Sequence, residues 1–198
     1  MEIFGIPSQA FFGQLLLGLI NGSFYAVLSL GLAIIFGLLN IINFAHGAQY
    51  MLGAFGAWLG LNYLGINYWL ALVLSPLLVG ALAVVIERSM LKRLYQLDHL
   101  YGLLLTFGLA LMAEGLFKNF FGVSGESYEA PELLQGGMQL GFMYLPIYRG
   151  WVVVAALTVC LVAWYVIERT SLGATLRAAT QRPDLVQALG INVPVLVT

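Results

Sequence analysis

The sequence predicts an all-α fold: a polytopic transmembrane helix bundle with short amphipathic helices on one membrane face. Three observations predict it. Hydrophobic residues fill 61% of the 198 positions and charged residues only 9%, against about 25% charged in an ordinary soluble domain. Mean hydropathy is +0.94. No Asp, Glu, Lys or Arg occurs between Glu2 and Glu87. The net charge of -1 argues against nucleic acid, for which a basic balance is expected.

The elements follow from the length of each apolar run, since a helix needs about 20 apolar residues to cross the hydrocarbon core. Glu2 stands where a cleavable signal would place Lys or Arg, so the first run is expected to be a retained span, at about 11–36. Further spans are expected at about 44–64, 67–86, 100–121 and 150–168, with the start of another near Val193. The first run is long enough to contain a break, and Gly31, Gly37, Asn40 and Asn43 are the residues that would make it.

Lys and Arg set the orientation. Arg88, Lys92 and Arg93 follow the third span, and Arg169, Arg177 and Arg182 follow the fifth. The loop between them, 122–149, holds Glu126, Glu129 and Glu132 against Arg149. Both basic segments are therefore expected in the cytoplasm, with the acidic loop and the N-terminus outside. Pro131 and Gly136-Gly137 mark that loop as irregular. Gly18/Gly22, Gly56/Gly60 and Gly53/Ala57 have small-xxx-small spacing, which permits close helix approach. Lone Cys160 reads as a small apolar packing residue.

One stretch in the charge-free region is polar: Gly37-Leu-Leu-Asn-Ile-Ile-Asn-Phe-Ala-His-Gly-Ala-Gln-Tyr50. Asn40, Asn43, His46 and Gln49 recur at every third position, which on a helix traces one slowly turning face. Buried in hydrocarbon, each costs several kcal/mol unless it is hydrogen-bonded. The partner is either a neighbouring helix or a passing solute, and both readings stand. Asn43 is expected to be the N-cap of the second span. Glu114 and Lys118, four apart on the fourth span, are expected to form a local ion pair.

After the fifth span, 169–192 reads as two short helices separated at Pro183. Asp184 supports the second helix's N-terminus, and Gly190 lies where a left-handed C-cap is needed. Leu172, Leu176 and Ala179 are expected to form the apolar face. Physics alone leaves open an amphipathic helix lying on lipid.

Here the sequence resembles a known family. Ser171-Leu-Gly173 with Arg177-Ala178, then Asp184, Ala188 and Gly190-Ile-Asn192, resembles the ATPase-coupling loop of bacterial ABC importer permeases. Gly37-Leu-Leu-Asn-Ile-Ile-Asn43-Phe44-Ala45-His46-Gly47 is similar to the signature of branched-chain amino acid permeases, the LivH type. Urea permeases, close relatives, share a similar Asn-Phe-Ala-His-Gly stretch. Family members continue for several more spans, so the chain is expected to match the N-terminal portion of one.

The resemblance implies an ATP-driven importer of branched-chain amino acids in the bacterial inner membrane, with coupling helices in its cytoplasmic loop. It implies a second permease subunit, two cytoplasmic ATPase subunits and an external solute-binding protein as partners. No Gly-x-x-x-x-Gly-Lys-Ser/Thr loop occurs, so ATP is expected on the partners and no cofactor, metal or catalytic residue on this chain. Asn40, Asn43, Phe44, His46, Gly47, Gln49 and Tyr50 are the expected solute pathway or gate. An aliphatic solute side chain would lie against Phe44, Met51 or Phe55. Gly173, Arg177, Ala178, Asp184, Ala188 and Gly190 are the expected ATPase contact.

Two rivals belong to other classes. Gly122-Val-Ser-Gly125 matches a Gly-x-Ser-Gly pattern of intramembrane proteases, but no His follows His99, and a serine without a base is no nucleophile. A passive channel has no need of an ATPase dock, so the cytoplasmic helices discriminate against it.

Overall fold

A computed structural model describes residues 2–3, 6–38, 43–94, 97–141, 143–193 and 196. The chain divides into two compact units, residues 1–30 with 129–170 and residues 31–128 with 171–198.

In the first unit a short hairpin, β1 (Glu2–Ile3) with β2 (Ile6–Pro7), leads into α1 (Ser8–Leu32). The loop before α6 is more ordered than its Pro and Gly content suggests. A 3-10 turn at Glu132–Leu134 precedes β3 (Gly137–Gln139), which pairs antiparallel with β4 (Tyr144–Pro146). Gly137 is needed there because a Cβ would collide with the Tyr144 ring and come within 2.7 Å of the Leu145 carbonyl oxygen. The hairpin feeds α6 (Ile147–Arg169), whose last turn carries Arg169 over the Trp164 ring at 5.6 Å.

The second unit opens with a π-helical turn, Ala33–Leu38, continuing from α1. The break thus begins four residues before Gly37, and Asn40 falls outside the described residues. Next come α2 (His46–Leu64) and α3 (Tyr68–Ile86), joined by a turn. Gly65 at φ +63 ends α2, and the Asn67 side chain caps α3 by accepting from the Leu70 N–H at 2.9 Å. A second π turn, Glu87–Leu91, extends α3 into α4 (Lys92–Leu94). Then α5 (His99–Phe121) is capped by Asp98, which accepts from the Leu100 N–H at 2.9 Å. Two short helices, α7 (Ser171–Gln181) and α8 (Pro183–Ala188), complete the unit.

Among the described residues, four helices are long and apolar enough to cross a membrane: Ser8–Gly37, Tyr68–Leu94, His99–Phe121 and Ile147–Arg169. These match the first, third, fourth and fifth expected spans, and the fold is an all-α polytopic membrane fold. The helix at the second expected span, α2, is less apolar because its first turns carry His46, Gln49 and Tyr50. Of the span expected near Val193, only Val193 and Leu196 are described.

Packing in this unit turns on the small residues of α2. Gly53 and Gly56 face Ser75 of α3, whose hydroxyl donates to the Gly53 carbonyl, and Gly60 faces Ile66. The predicted stripe is therefore the α2–α3 contact. The Gly18/Gly22 pair has no neighbour within 4 Å of where a Cβ would sit. Pro76 follows Ser75 inside α3, a substitution that membrane helices tolerate when neighbours supply the missing hydrogen bonds.

The close α2–α3 approach is testable. A Cβ at Gly56 would lie 3.3 Å from Ser75 Oγ, whereas Gly80 of α3 has open space. Both Gly→Leu changes gain the same helix propensity, so their difference isolates the contact. Gly56→Leu is expected to be about 1–3 kcal/mol less stable than Gly80→Leu, read from detergent-unfolding midpoints of the purified protein.

Candidate functional site

The polar stretch is not one helical face. Helix α2 begins only at His46, so Asn43 lies before it, and the every-third-residue face is divided between loop and helix. Nor is Asn43 the N-cap, a position held by Ala45, which offers no side-chain bond. Instead Asn43 Oδ1 accepts from the Ala45 N–H at 2.9 Å, an Asx-type turn that orders the entry to the helix. The Ala45 carbonyl then accepts from the Gln49 N–H at 2.8 Å and starts the ladder.

A residue that the sequence reading passed over anchors this turn. Thr106 of α5, 1% exposed, accepts from the Phe44 N–H at 3.1 Å and donates to the Leu103 carbonyl at 3.1 Å. Its signal was its isolation as a hydroxyl within the apolar run Leu103–Met112. Thr106 lies seven residues beyond His99, which at the helical rise is about 10 Å along α5. The turn thus meets α5 well inside it and not at its end. The Phe44 ring stands edge-on to Phe107, with centroids 6.2 Å apart. His46 occupies the space above Gly31, where a Cβ would come within 2.7 Å of its ring. Any side chain at position 31 would force that imidazole to move.

From this level a groove of about 470 Å³ runs between α2 and α5. Gly47, Ala48, Met51 and Phe55 line it from α2, and Ala110, Glu114, Phe117 and Lys118 from α5. Residues Gly122–Gly125 form its far rim. Phe55, Phe117 and Phe121 make one aromatic cluster, with Phe55 centroids 4.5 and 5.1 Å from the other two. Of the predicted pathway residues Gly47 lines the groove, as do Met51 and Phe55. Asn43, Phe44, His46, Gln49 and Tyr50 are not among its lining residues, and Tyr50 is exposed. The predicted ion pair forms, with Lys118 Nζ 2.6 Å from Glu114 Oε1.

The two short helices expected after the fifth span form, with one correction. Gly173 and Ala179 are buried and Leu176 is half-buried, while Leu172 is exposed. Three-residue spacing carries the buried face through Gly173, Leu176 and Ala179 and turns Leu172 away. Ala179 packs with Val186 of α8 and with Val193. Gly190, at φ +83, closes α8 in a Schellman motif. Its N–H reaches the Gln187 carbonyl at 2.9 Å, and the Ile191 N–H reaches that of Val186 at 3.3 Å. Asp184, Ala188 and Gly190 are exposed, as is Ala178, while Arg177 is half-buried. Beside them Leu185 and Leu189 are apolar and largely exposed. Helix α7 also packs against the π turn Ala33–Leu38.

Ser124 lies in the exposed rim loop, not at the buried start of a helix. In the same loop the Tyr128 hydroxyl is buried beside Tyr68, and burial, then Tyr68, raises its pKa.

Comparison with known proteins agrees with the sequence reading. The family model described as the branched-chain amino acid transport system permease component matches residues 14–197. The high-affinity branched-chain amino acid transport system permease protein BraD of Pseudomonas aeruginosa is 28% identical over 90% of this chain. The corresponding protein LivH of Escherichia coli is 24% identical over 92%. A probable branched-chain amino acid transport permease protein LivH of Methanocaldococcus jannaschii is 28% identical over 88%. The aligned parts cover 62%, 63% and 56% of those relatives' own lengths. No solved structure matches significantly.

The Thr106 anchor generates a measurable outcome. Thr106→Val leaves the Phe44 N–H without its acceptor, a loss of about 1–3 kcal/mol for a buried group. Amide hydrogen exchange at Phe44 is expected to accelerate by about ten-fold or more, whereas Thr106→Ser keeps the wild-type rate.

Proposed function

The chain belongs to the family of branched-chain amino acid transport system permease components, and on that premise we propose that it is the transmembrane subunit of an ATP-driven importer of branched-chain amino acids. It is a multi-pass membrane protein with four apolar spanning helices. In this reading it resides in the bacterial inner membrane with its N-terminus outside. A second permease subunit completes the pathway, two cytoplasmic ATPase subunits supply the energy, and an external binding protein delivers the solute.

The observation that carries the ATP-coupled reading is the α7–α8 pair. An amphipathic helix lying on lipid would turn its apolar face to the membrane. Here Gly173, Ala179 and Val186 are already buried within the protein. What stays exposed is a mixed surface of Asp184, Leu185, Ala188, Leu189 and Gly190, suited to a protein partner. We assign it, with Ala178 and Arg177, as the ATPase contact.

The contact between α7 and the π turn Ala33–Leu38 supports a route for coupling. That turn precedes Asn43 in the chain. A push on α8 from the closing ATPases passes to α7, to the π turn and to the Asn43–His46 turn. π-helical turns are frequent at functional sites. The stretch Asn43–Tyr50, with Asn40 beyond the described residues, then acts as the gate whose position alternates between access states.

Replacing Gly190 tests the coupling role. At φ +83 any side chain strains the Schellman turn, and a large one also blocks the exposed surface. Gly190→Trp is expected to abolish leucine uptake by cells expressing the complete transporter, with membrane abundance retained and ATPase co-purification weakened. Normal uptake would overturn the ATPase assignment. Uptake that persists when the ATPase subunits are deleted would instead favour a passive channel. Uptake of urea without leucine would move the substrate to the amide class.

A further inference from the structure

We propose that the groove between α2 and α5 is a binding subsite for a zwitterionic amino acid, in which Glu114 takes the ammonium and Lys118 the carboxylate. This rests on the importer reading above and names the residues that would hold its substrate in this chain.

The argument starts from the cost of the two charges. Intramembrane charges are expensive and are kept where they have a task. Mutual pairing offsets part of that cost but does not use the full hydrogen-bonding capacity of either group, since a carboxylate accepts through two oxygens and an ammonium donates three bonds. The Glu114 and Lys118 side chains are also far from sealed against each other, at 50% and 56% exposed. Each has a free side, and both line the groove.

The groove's remaining chemistry selects the ligand. Around the pair the walls are Met51, Phe55, Ala110 and Phe117, all apolar. A volume of about 470 Å³ falls within the range of about 300–1,000 Å³ usual for small-molecule sites. One negative and one positive group side by side are electroneutral together. They fit a ligand that carries one ammonium and one carboxylate on a single carbon. A purely cationic or anionic solute would set one member of the pair against a like charge, and a neutral amide needs neither charge. The apolar walls then receive an aliphatic side chain, with the Phe55–Phe117 edge as its floor.

Position along the helix agrees. Glu114 lies about 10 Å and Lys118 about 5 Å from the C-terminal end of α5 by helical rise. The groove runs from Ala110, near the middle of α5, to the rim at Gly122–Gly125. Its inner end meets Gly47 and Ala48, directly after the Asn43–His46 turn. A ligand on the pair therefore sits on one side of the proposed gate, between it and the rim at Gly122–Gly125. The pair exchanges its internal bond for two bonds to the ligand, so neither charge is left unpaired in either state.

A charge swap separates this role from a structural one. Glu114→Lys/Lys118→Glu keeps an i,i+4 pair and so preserves any merely structural bridge, but reverses its polarity. The readout is the initial rate of leucine uptake into proteoliposomes containing the complete transporter with saturating binding protein, corrected for permease content. Glu114→Gln and Lys118→Gln are each expected to lower the rate by about ten-fold or more, the order set by losing a charge-assisted hydrogen bond. The swap is expected not to restore it. Ala110→Phe, which fills the groove and leaves both charges, is expected to lower the rate similarly. Wild-type rates in the swap or in Ala110→Phe would overturn the subsite and leave the importer reading standing. Absence of uptake of leucine, isoleucine and valine by the unaltered transporter would overturn both.

Discussion

Non-helical backbone within a bilayer must find its hydrogen-bond partners inside the protein, because hydrocarbon offers none. The Phe44–Thr106 bond is where this chain meets that constraint. Ahead of α2, at Asn43–Ala45, the backbone is not helical. Thr106 takes the N–H of Phe44, and Asn43 takes that of Ala45. Together they let a helix begin about 10 Å along α5. The inner end of the groove, the position of His46 against Gly31 and the level of Gly47 all follow from that anchor.

The scaffold around it divides its chemistry by helix face. One face of α2 presents Gly53, Gly56 and Gly60, so that α3 approaches to backbone distance and Ser75 reaches the Gly53 carbonyl. Another presents Met51, Phe55 and Trp58 towards the aromatic side chains of α5. Small residues make α3 a rigid backing, whereas large ones hold α5 off and leave open space between. A groove arises where packing is loosest, and it is there that Glu114 and Lys118 lie. After α6, α7 and α8 bury their own small apolar face, and α7 touches the π turn. That turn thus touches α7 and precedes the anchored Asn43–His46 turn in the chain.

Much of this was legible in the chain because it depends on local spacing. Apolar run lengths located the four long apolar helices found among the described residues, and Pro183, Asp184 and Gly190 marked α8 and its end. The Glu114–Lys118 pair was readable from one helical turn. Errors arose where a long-range partner decided the outcome. Asn43 has N-cap chemistry, yet the helix starts three residues later, since Thr106 holds the Phe44 N–H before the ladder begins. Leu172 was expected inward, but α7 buries Gly173 instead, because close contact favours the smallest residue. The β3–β4 hairpin escaped notice because its strands are three residues each and carry no alternating pattern long enough to see.

By itself, then, the sequence determined the class of the protein, its spanning segments and the two motifs that place it in a permease family. These rest on composition and on periods of a few residues, which every helix expresses alike. The tertiary structure alone decided where the break lies along α5 and which of the polar and charged residues share a groove. The polar stretch and the ion pair are separated by about 65 positions in sequence, a distance over which no helical period carries information. Only the side-by-side packing of α2 and α5 brings Gly47 to the groove that also holds Glu114 and Lys118.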